Sequence, residues 1–263
     1  MSASNSRLTP PPAAPRMVCE RLQLGFGPGH EILRGLSLEV PAGEIVCLIG
    51  ASGCGKSTLL KCLAGLLRPE GGAVRCEREG RDTSQHRMAF VFQEPTLLPW
   101  RTVRSNVRLP LELLGLTAQA AFVERIDRFL QIVGLSERDQ RKYPAQLSGG
   151  MKMRVSLARA LVTDPDLLFF DEPFAALDDV LRMRLNELLL ELVAERPRTV
   201  VFVTHNIAEA MFLSHRIVIM AQGTVAEIIE NPLPIPRQRN IRSTPEFAKL
   251  YGRVSLAMER AAS

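Results

Sequence analysis

Five side chains stand out for the chemistry they could do: a lysine in a glycine-rich loop, two adjacent carboxylates, a histidine and a glutamine. Each follows a short apolar run. Gly50-Ala51-Ser52-Gly53-Cys54-Gly55-Lys56-Ser57 matches the pattern G-x-x-x-x-G-K-[ST]. Glycines there let successive backbone N–H groups turn inward around an anion, Lys56 reaches the terminal phosphates of a nucleotide, and Ser57 holds Mg²⁺. The buried-strand run Glu44 to Ile49 before the loop and the periodic stretch Thr58 to Leu67 after it give the strand–loop–helix context the pattern needs. Leu167 to Phe170 leads into Asp171-Glu172. Phosphoryl transfer needs such a pair, one acid to orient the metal and a second to polarise an attacking water.

His205 closes the run Val200 to Val203 after Thr204. It either bonds a neighbouring carbonyl or, as a neutral imidazole beside the carboxylate strand, hydrogen-bonds a transferred phosphate. Gln93, after Met88 to Phe92, can touch Mg²⁺ or water and also sits at a natural joint between sub-domains. Leu147-Ser148-Gly149-Gly150-Met151 opens a helical run, Lys152 to Val162. A serine and two glycines at a helix start expose free N–H groups and the positive dipole end, which makes a second anion site. One nucleotide in one subunit has no use for that second site unless it serves a nucleotide held by another copy.

The elements that position these residues follow from the pattern of apolar runs. Four runs without internal charge read as parallel strands whose carboxyl ends share one sheet edge, where ligands of open α/β folds bind. Val18 to Gly25 and Leu36 to Val40 read as short opening strands around the Gly27-Pro28-Gly29 turn. Between Gln93 and Asp171 the period changes: Phe122, Ile126, Phe129, Leu130 and Val133 share one helical face opposite Glu124, Arg125, Asp127 and Arg128, which predicts a helical sub-domain inserted over about residues 94–163. Residues 1–16, with four prolines, read as a disordered arm, and 231–263 as a Pro/Arg-rich tail ending in a short helix from about Thr244 to Glu259. The main domain is set between them, at 17–230.

Composition excludes several classes. The 263 residues are 46% hydrophobic with a net charge of +5, an ordinary folded chain rather than a disordered one. No apolar run reaches the ~18 residues of a bilayer span, and no secretion signal opens the chain. The five cysteines show neither zinc nor disulfide spacing, so reduced thiols are expected. The arginines are scattered, which argues for a solvated basic surface and no nucleic-acid partner.

In this order and spacing, Gly50 to Thr58, Gln93, Leu147 to Met151, Asp171-Glu172, Ala176-Leu177-Asp178 and His205 resemble the nucleotide-binding subunit of an ABC transporter, from about Val18 to Glu227. The resemblance implies an α/β P-loop NTPase core with a mostly parallel sheet, an N-terminal antiparallel β sub-domain and an inserted α-helical sub-domain. It implies a head-to-tail pair of subunits, each ATP clamped between one copy's Gly50, Ser52, Gly53, Cys54, Gly55, Lys56, Ser57 and Thr58 and the other copy's Ser148, Gly149 and Gly150, with Asp178 at the same seam. Catalysis then falls to Glu172, His205 and Gln93, and the metal to Ser57, Gln93 and Asp171. Phe26 falls where the family stacks an aromatic ring on adenine. Three positions depart from the commoner pattern: Met151 replaces a glutamine, Asn206 an aspartate, and Ala175 a serine or glycine.

Finer resemblance, carried by Phe92 to Val103, the Met-type signature and the Pro/Arg-rich ending, is to bacterial importers of the nitrate, sulfonate and taurine group. It implies two transmembrane permease subunits docking near Gln93 to Trp100, with Leu97 and Leu98 lining the groove. An extracytoplasmic solute-binding protein would act indirectly, and the chain would sit peripherally on the cytoplasmic face of the inner membrane. Exporter or lipid-extracting complexes and soluble ABC ATPases are the rival assignments.

Overall fold

The computed structural model describes residues 14–25, 27, 30–78, 81–82, 87–116, 120–175, 177–235 and 237–262. In chain order the elements are β1 (Arg16–Gly25), β2 (Glu31–Val40), β3 (Ile45–Gly50), α1 (Lys56–Leu63), β4 (Gly71–Arg78), β5 (Arg81–Asp82) and β6 (Met88–Val91). There follow α2 (Val103–Leu113), α3 (Ala120–Ile132), α4 (Glu137–Gln140), α5 (Gly149–Leu161), β7 (Leu167–Asp171), α6 (Asp179–Glu195), β8 (Thr199–Val203), α7 (Ile207–Leu213), β9 (Arg216–Ala221), β10 (Thr224–Glu230) and α8 (Pro245–Ala262).

Two sheets form. The larger runs β10-β9-β3-β8-β7-β6, and every pairing in it is parallel except β9 with β10. The smaller, β2-β1-β4-β5, is antiparallel throughout. Every residue of β3, β7 and β8 is buried, as a strand covered on both faces requires. Period-two alternation divides β3 between two cores. Ile45, Cys47 and Ile49 face the layer of α2, α5, α7 and α8, while Val46 and Leu48 face α1 and the small sheet. The four carboxyl ends therefore do share one edge, in the order β3, β8, β7, β6.

Residues 94–163 hold α2 to α5, and the apolar stripe of α3 turns inward: Ile126, Phe129, Leu130 and Val133 are buried. The carboxyl-terminal segment is more than a tail. Its helix, α8, has 18 residues and buries Phe247, Leu250, Val254 and Ala257 in the larger core. Arg237, itself buried, donates to the carbonyls of Phe212, Ser214 and Leu233 and so straps the segment to the end of α7. At the other end β1 starts at Arg16, and the carbonyl of Pro15 accepts the Thr199 hydroxyl at 2.5 Å. All five cysteines are buried. Among the described residues no helix is long and apolar enough to cross a membrane.

Candidate nucleotide-binding site

The loop after β3 takes a shape that only glycine allows at its start. A Cβ on Gly50 would lie 2.2 Å from the Met220 carbonyl oxygen, because β9 passes directly alongside. Gly53 and Gly55 have φ of +80° and +103°, and Gly55 caps α1 from the left-handed region. Lys56 is consequently the first residue of α1, with only 6% of its surface exposed. Its Nζ donates to the Gly50 and Ala51 carbonyls, both at 2.9 Å. The ammonium thus lies inside the loop. Ala51, Ser52 and Gly53 at the tip are exposed, and Thr58 is half-buried in α1.

Ser57 and Asp171 meet from elements 114 residues apart, the serine hydroxyl donating to Asp171 Oδ1 at 2.6 Å. Burial pushes the Asp171 carboxyl above its usual range; the Ser57 bond and the Lys61 and Lys56 charges pull it back, and Glu172 pushes it up again. A hydroxyl and a carboxylate whose ionisation burial opposes are a fitting set for a hard dication, which favours oxygen donors and needs few from the protein when phosphates supply the rest. When bound there, Mg²⁺ supplies charge neutralisation to the phosphate oxygens.

Glu172 lies one residue past β7 with φ of +45°. A non-glycine residue in that region costs of order 1 kcal/mol or more and is kept only where the surroundings fix it. Here its N–H donates to the Val203 carbonyl at 3.1 Å, tying the end of β7 to β8. The turn aims its carboxylate across the strand, where Oε2 lies 3.0 Å from His205 Nδ1. A neutral ring that donates from Nδ1 has only an acceptor at Nε2. To donate to a phosphate from Nε2, His205 must release Glu172 or carry both protons. The histidine side chain is 64% exposed.

Gln93 is exposed two residues beyond β6, on the same sheet edge. Ser148 caps α5, its Oγ accepting from the Met151 N–H at 3.3 Å, and it and Gly149 are exposed. Among the described residues no hydrogen bond joins Ser148, Gly149 or Gly150 to residues 50–58 of their own chain. Asp178 caps α6 by accepting from the Leu181 N–H at 2.9 Å. Phe26 and Ala176 lie outside the described residues. Met258, Ala261 and Ala262 of α8 line a cavity of about 290 Å³ shared with Gly50 to Cys54.

Three residues absent from the sequence reading of the site support it. Glu209, Asn186 and Thr204 are buried and bonded together behind His205. The only sequence sign was an acid three residues after a helix-capping asparagine: Asn206 Oδ1 does accept the Glu209 N–H, at 3.1 Å.

A mostly parallel sheet whose central strand feeds this loop, with a serine–aspartate pair at the loop's mouth and a glutamate beside it, defines a P-loop nucleoside triphosphatase. A family profile described as ABC transporter matches residues 33–175. An aliphatic sulfonates import ATP-binding protein, SsuB, of Bacillus cereus is 40% identical over 221 residues, covering 83% of this chain and 86% of that protein. A second, from Mesorhizobium japonicum, is 44% identical over 226 residues, with coverage of 85% and 81%. Among solved structures, the dimeric post-hydrolysis form of the ATP-binding cassette MJ0796, bound to ADP and Pi, superposes with a TM-score of 0.75 at 30% identity, covering 83% of this chain and all of that one. The chain belongs to the ABC transporter family, and it is an ATPase of that family.

Proposed function

We propose that this ATPase energises a bacterial importer, closing head-to-tail with a second copy around two Mg·ATP and driving uptake of an aliphatic sulfonate or similar small anion through separate membrane subunits. The observation that carries the dimer is the Ser148-Gly149-Gly150 helix tip, exposed at Ser148 and Gly149, which among the described residues makes no hydrogen bond to its own phosphate loop. A second copy's loop gives it a phosphate to cap. The dimeric state of the MJ0796 cassette is consistent with this geometry, and the names of the Bacillus and Mesorhizobium relatives favour import of sulfonates over the exporter and soluble alternatives.

In this reading Lys56 exchanges its two loop carbonyls for phosphate oxygens, and Ser57 and Asp171, with Gln93, hold the metal. Glu172 takes the proton of the attacking water, and His205, turned from Glu172, bonds the transferred phosphate. Swinging such a clamp from ~1% to ~99% closed needs a differential of ~5.5 kcal/mol, which a nucleotide touching only one copy could not supply.

In the same reading the membrane subunits dock at residues 93–100. Trp100 is 71% exposed, and the loop presenting it is built rather than loose. Asn106, fully buried, accepts from the Leu98 N–H and donates to the carbonyls of Leu98, Arg101 and Thr102. A held loop with an exposed indole suits a partner anchor. The test is reconstitution with the permease subunits in vesicles. Trp100→Ala should leave ATPase activity of the free subunit unchanged and weaken complex formation by ~2 kcal/mol or more, with transport lost in proportion. Full transport by this variant would move the docking surface elsewhere, and no sulfonate uptake by the wild-type complex would remove the solute assignment.

A further inference from the structure

Glu209 is a carboxylate in an expensive place. It is 3% exposed in the first turn of α7, between β8 and α6. An acid buried this deeply is costly unless its oxygens are bonded, and here both are. Oε2 accepts the Thr204 hydroxyl at 2.6 Å and Oε1 accepts Asn186 Nδ2 at 3.3 Å. Burial pushes the carboxyl upward in pKa, against those two bonds and the charges of Arg182 and His205.

The bonds have a shape. Thr204 Oγ1, while donating to Glu209, accepts the Asn206 N–H at 3.0 Å, and Asn206 Oδ1 accepts the Glu209 N–H. Residues 204, 206 and 209 therefore form a closed ring of hydrogen bonds, and the one residue held between the first two is His205. Thr204 N–H also donates to the Leu48 carbonyl at 3.2 Å, which ties the ring to the strand that carries the phosphate loop. On the far side Asn186 belongs to α6. One turn earlier on that helix, Arg182 donates to the carbonyls of Leu177 at 2.7 Å and Phe174 at 3.3 Å. The same helix thus braces both the turn ahead of Asp178 and the base of His205.

We propose that Glu209 is the positioning residue of His205: locked between Thr204 and Asn186, it fixes the backbone from which the imidazole reaches Glu172 in this structure and the transferred phosphate during hydrolysis. It touches neither nucleotide nor metal, and its acidity is not what the site uses. A glutamine would serve, because its Oε1 can accept from Thr204 and its Nε2 can donate to Asn186 Oδ1, an atom with no partner among the described residues. Alanine would leave Thr204 and Asn186 both unmatched. The inference rests on the assignment of His205 to hydrolysis.

The test uses the full chain and five variants, with ATP turnover and binding of a fluorescent nucleotide measured separately. Glu209→Ala should lower kcat by up to ~10²-fold, the scale of a misplaced catalytic group, with nucleotide affinity unchanged within about twofold. Glu209→Gln should restore most of the loss. Combined with His205→Ala, Glu209→Ala should cost nothing further, because the group it positions is gone. Thr204→Val, which removes the hydroxyl at nearly constant volume, should show the same split and serves if the alanine variant does not fold. Wild-type turnover in folded Glu209→Ala or Thr204→Val overturns the inference, as does a Gln variant as slow as Ala, or full additivity with His205→Ala. A His205→Ala protein with wild-type turnover would instead strike the assignment on which the inference rests.

Discussion

Glu172→Gln is expected to lower ATP turnover by ~10²- to 10⁴-fold while leaving nucleotide binding nearly intact. The glutamine keeps the shape of the side chain and its bond to His205, with an amide in place of the Oε2 that lies 3.0 Å from Nδ1. It loses only the ability to take a proton. The left-handed backbone at Glu172 and its N–H bond to Val203 are unaffected, so the effect belongs to chemistry and not to folding. Single-turnover hydrolysis and equilibrium nucleotide titration on the same preparation separate the two quantities. Turnover within tenfold of wild type would take Glu172 out of the proton-accepting role.

Lys56→Ala should fail differently. Binding should weaken by ~10- to 10²-fold, the range for one charge-assisted contact to an anion, and turnover should fall with it. In the structure the ammonium is already buried and spends its donors on the Gly50 and Ala51 carbonyls. Without Lys56 those two carbonyl oxygens lose their donor and the loop loses its positive charge, both unfavourable to an anionic ligand. The contrast is diagnostic: Gln at 172 gives a protein that binds and does not turn over, Ala at 56 one that does neither. Unchanged nucleotide affinity in Lys56→Ala would place the phosphates away from this loop.

Much of this site was legible because its signals are local. The loop motif, the buried strands at 45–50, 167–171 and 199–203, and the capping serine and asparagine each declare themselves within a dozen residues, and the topology then puts their ends together. What was not legible depends on distant contact. Nothing near Glu209 reveals that Asn186 waits across the chain, and a charged residue in a helix reads by default as solvated. The carboxyl-terminal helix was expected from about Thr244 to Glu259, but not its packing: Phe247, Leu250, Val254 and Ala257 fall on one face, and only the folded chain brings α7 and β9 to cover it. The β9–β10 hairpin was available: Gln222 and Gly223, with φ of +47° and +78°, form a two-residue turn between apolar runs. β4 was not, since its pattern of half-buried and exposed residues lacks clear alternation.

Everything functional turns on whether Ser52 of one copy faces Ser148 of another across bound ATP. Both positions are exposed and the native cysteines are all buried, so introduced thiols there should react first. Two differently tagged Glu172→Gln copies, one Ser52→Cys and one Ser148→Cys, are mixed and treated with a short bismaleimide. A covalent species of both tags, at twice the 29.1 kDa of one chain, should form with Mg·ATP and fade with ADP. Equal linkage without nucleotide, or none in its presence, would contradict the two-copy clamp.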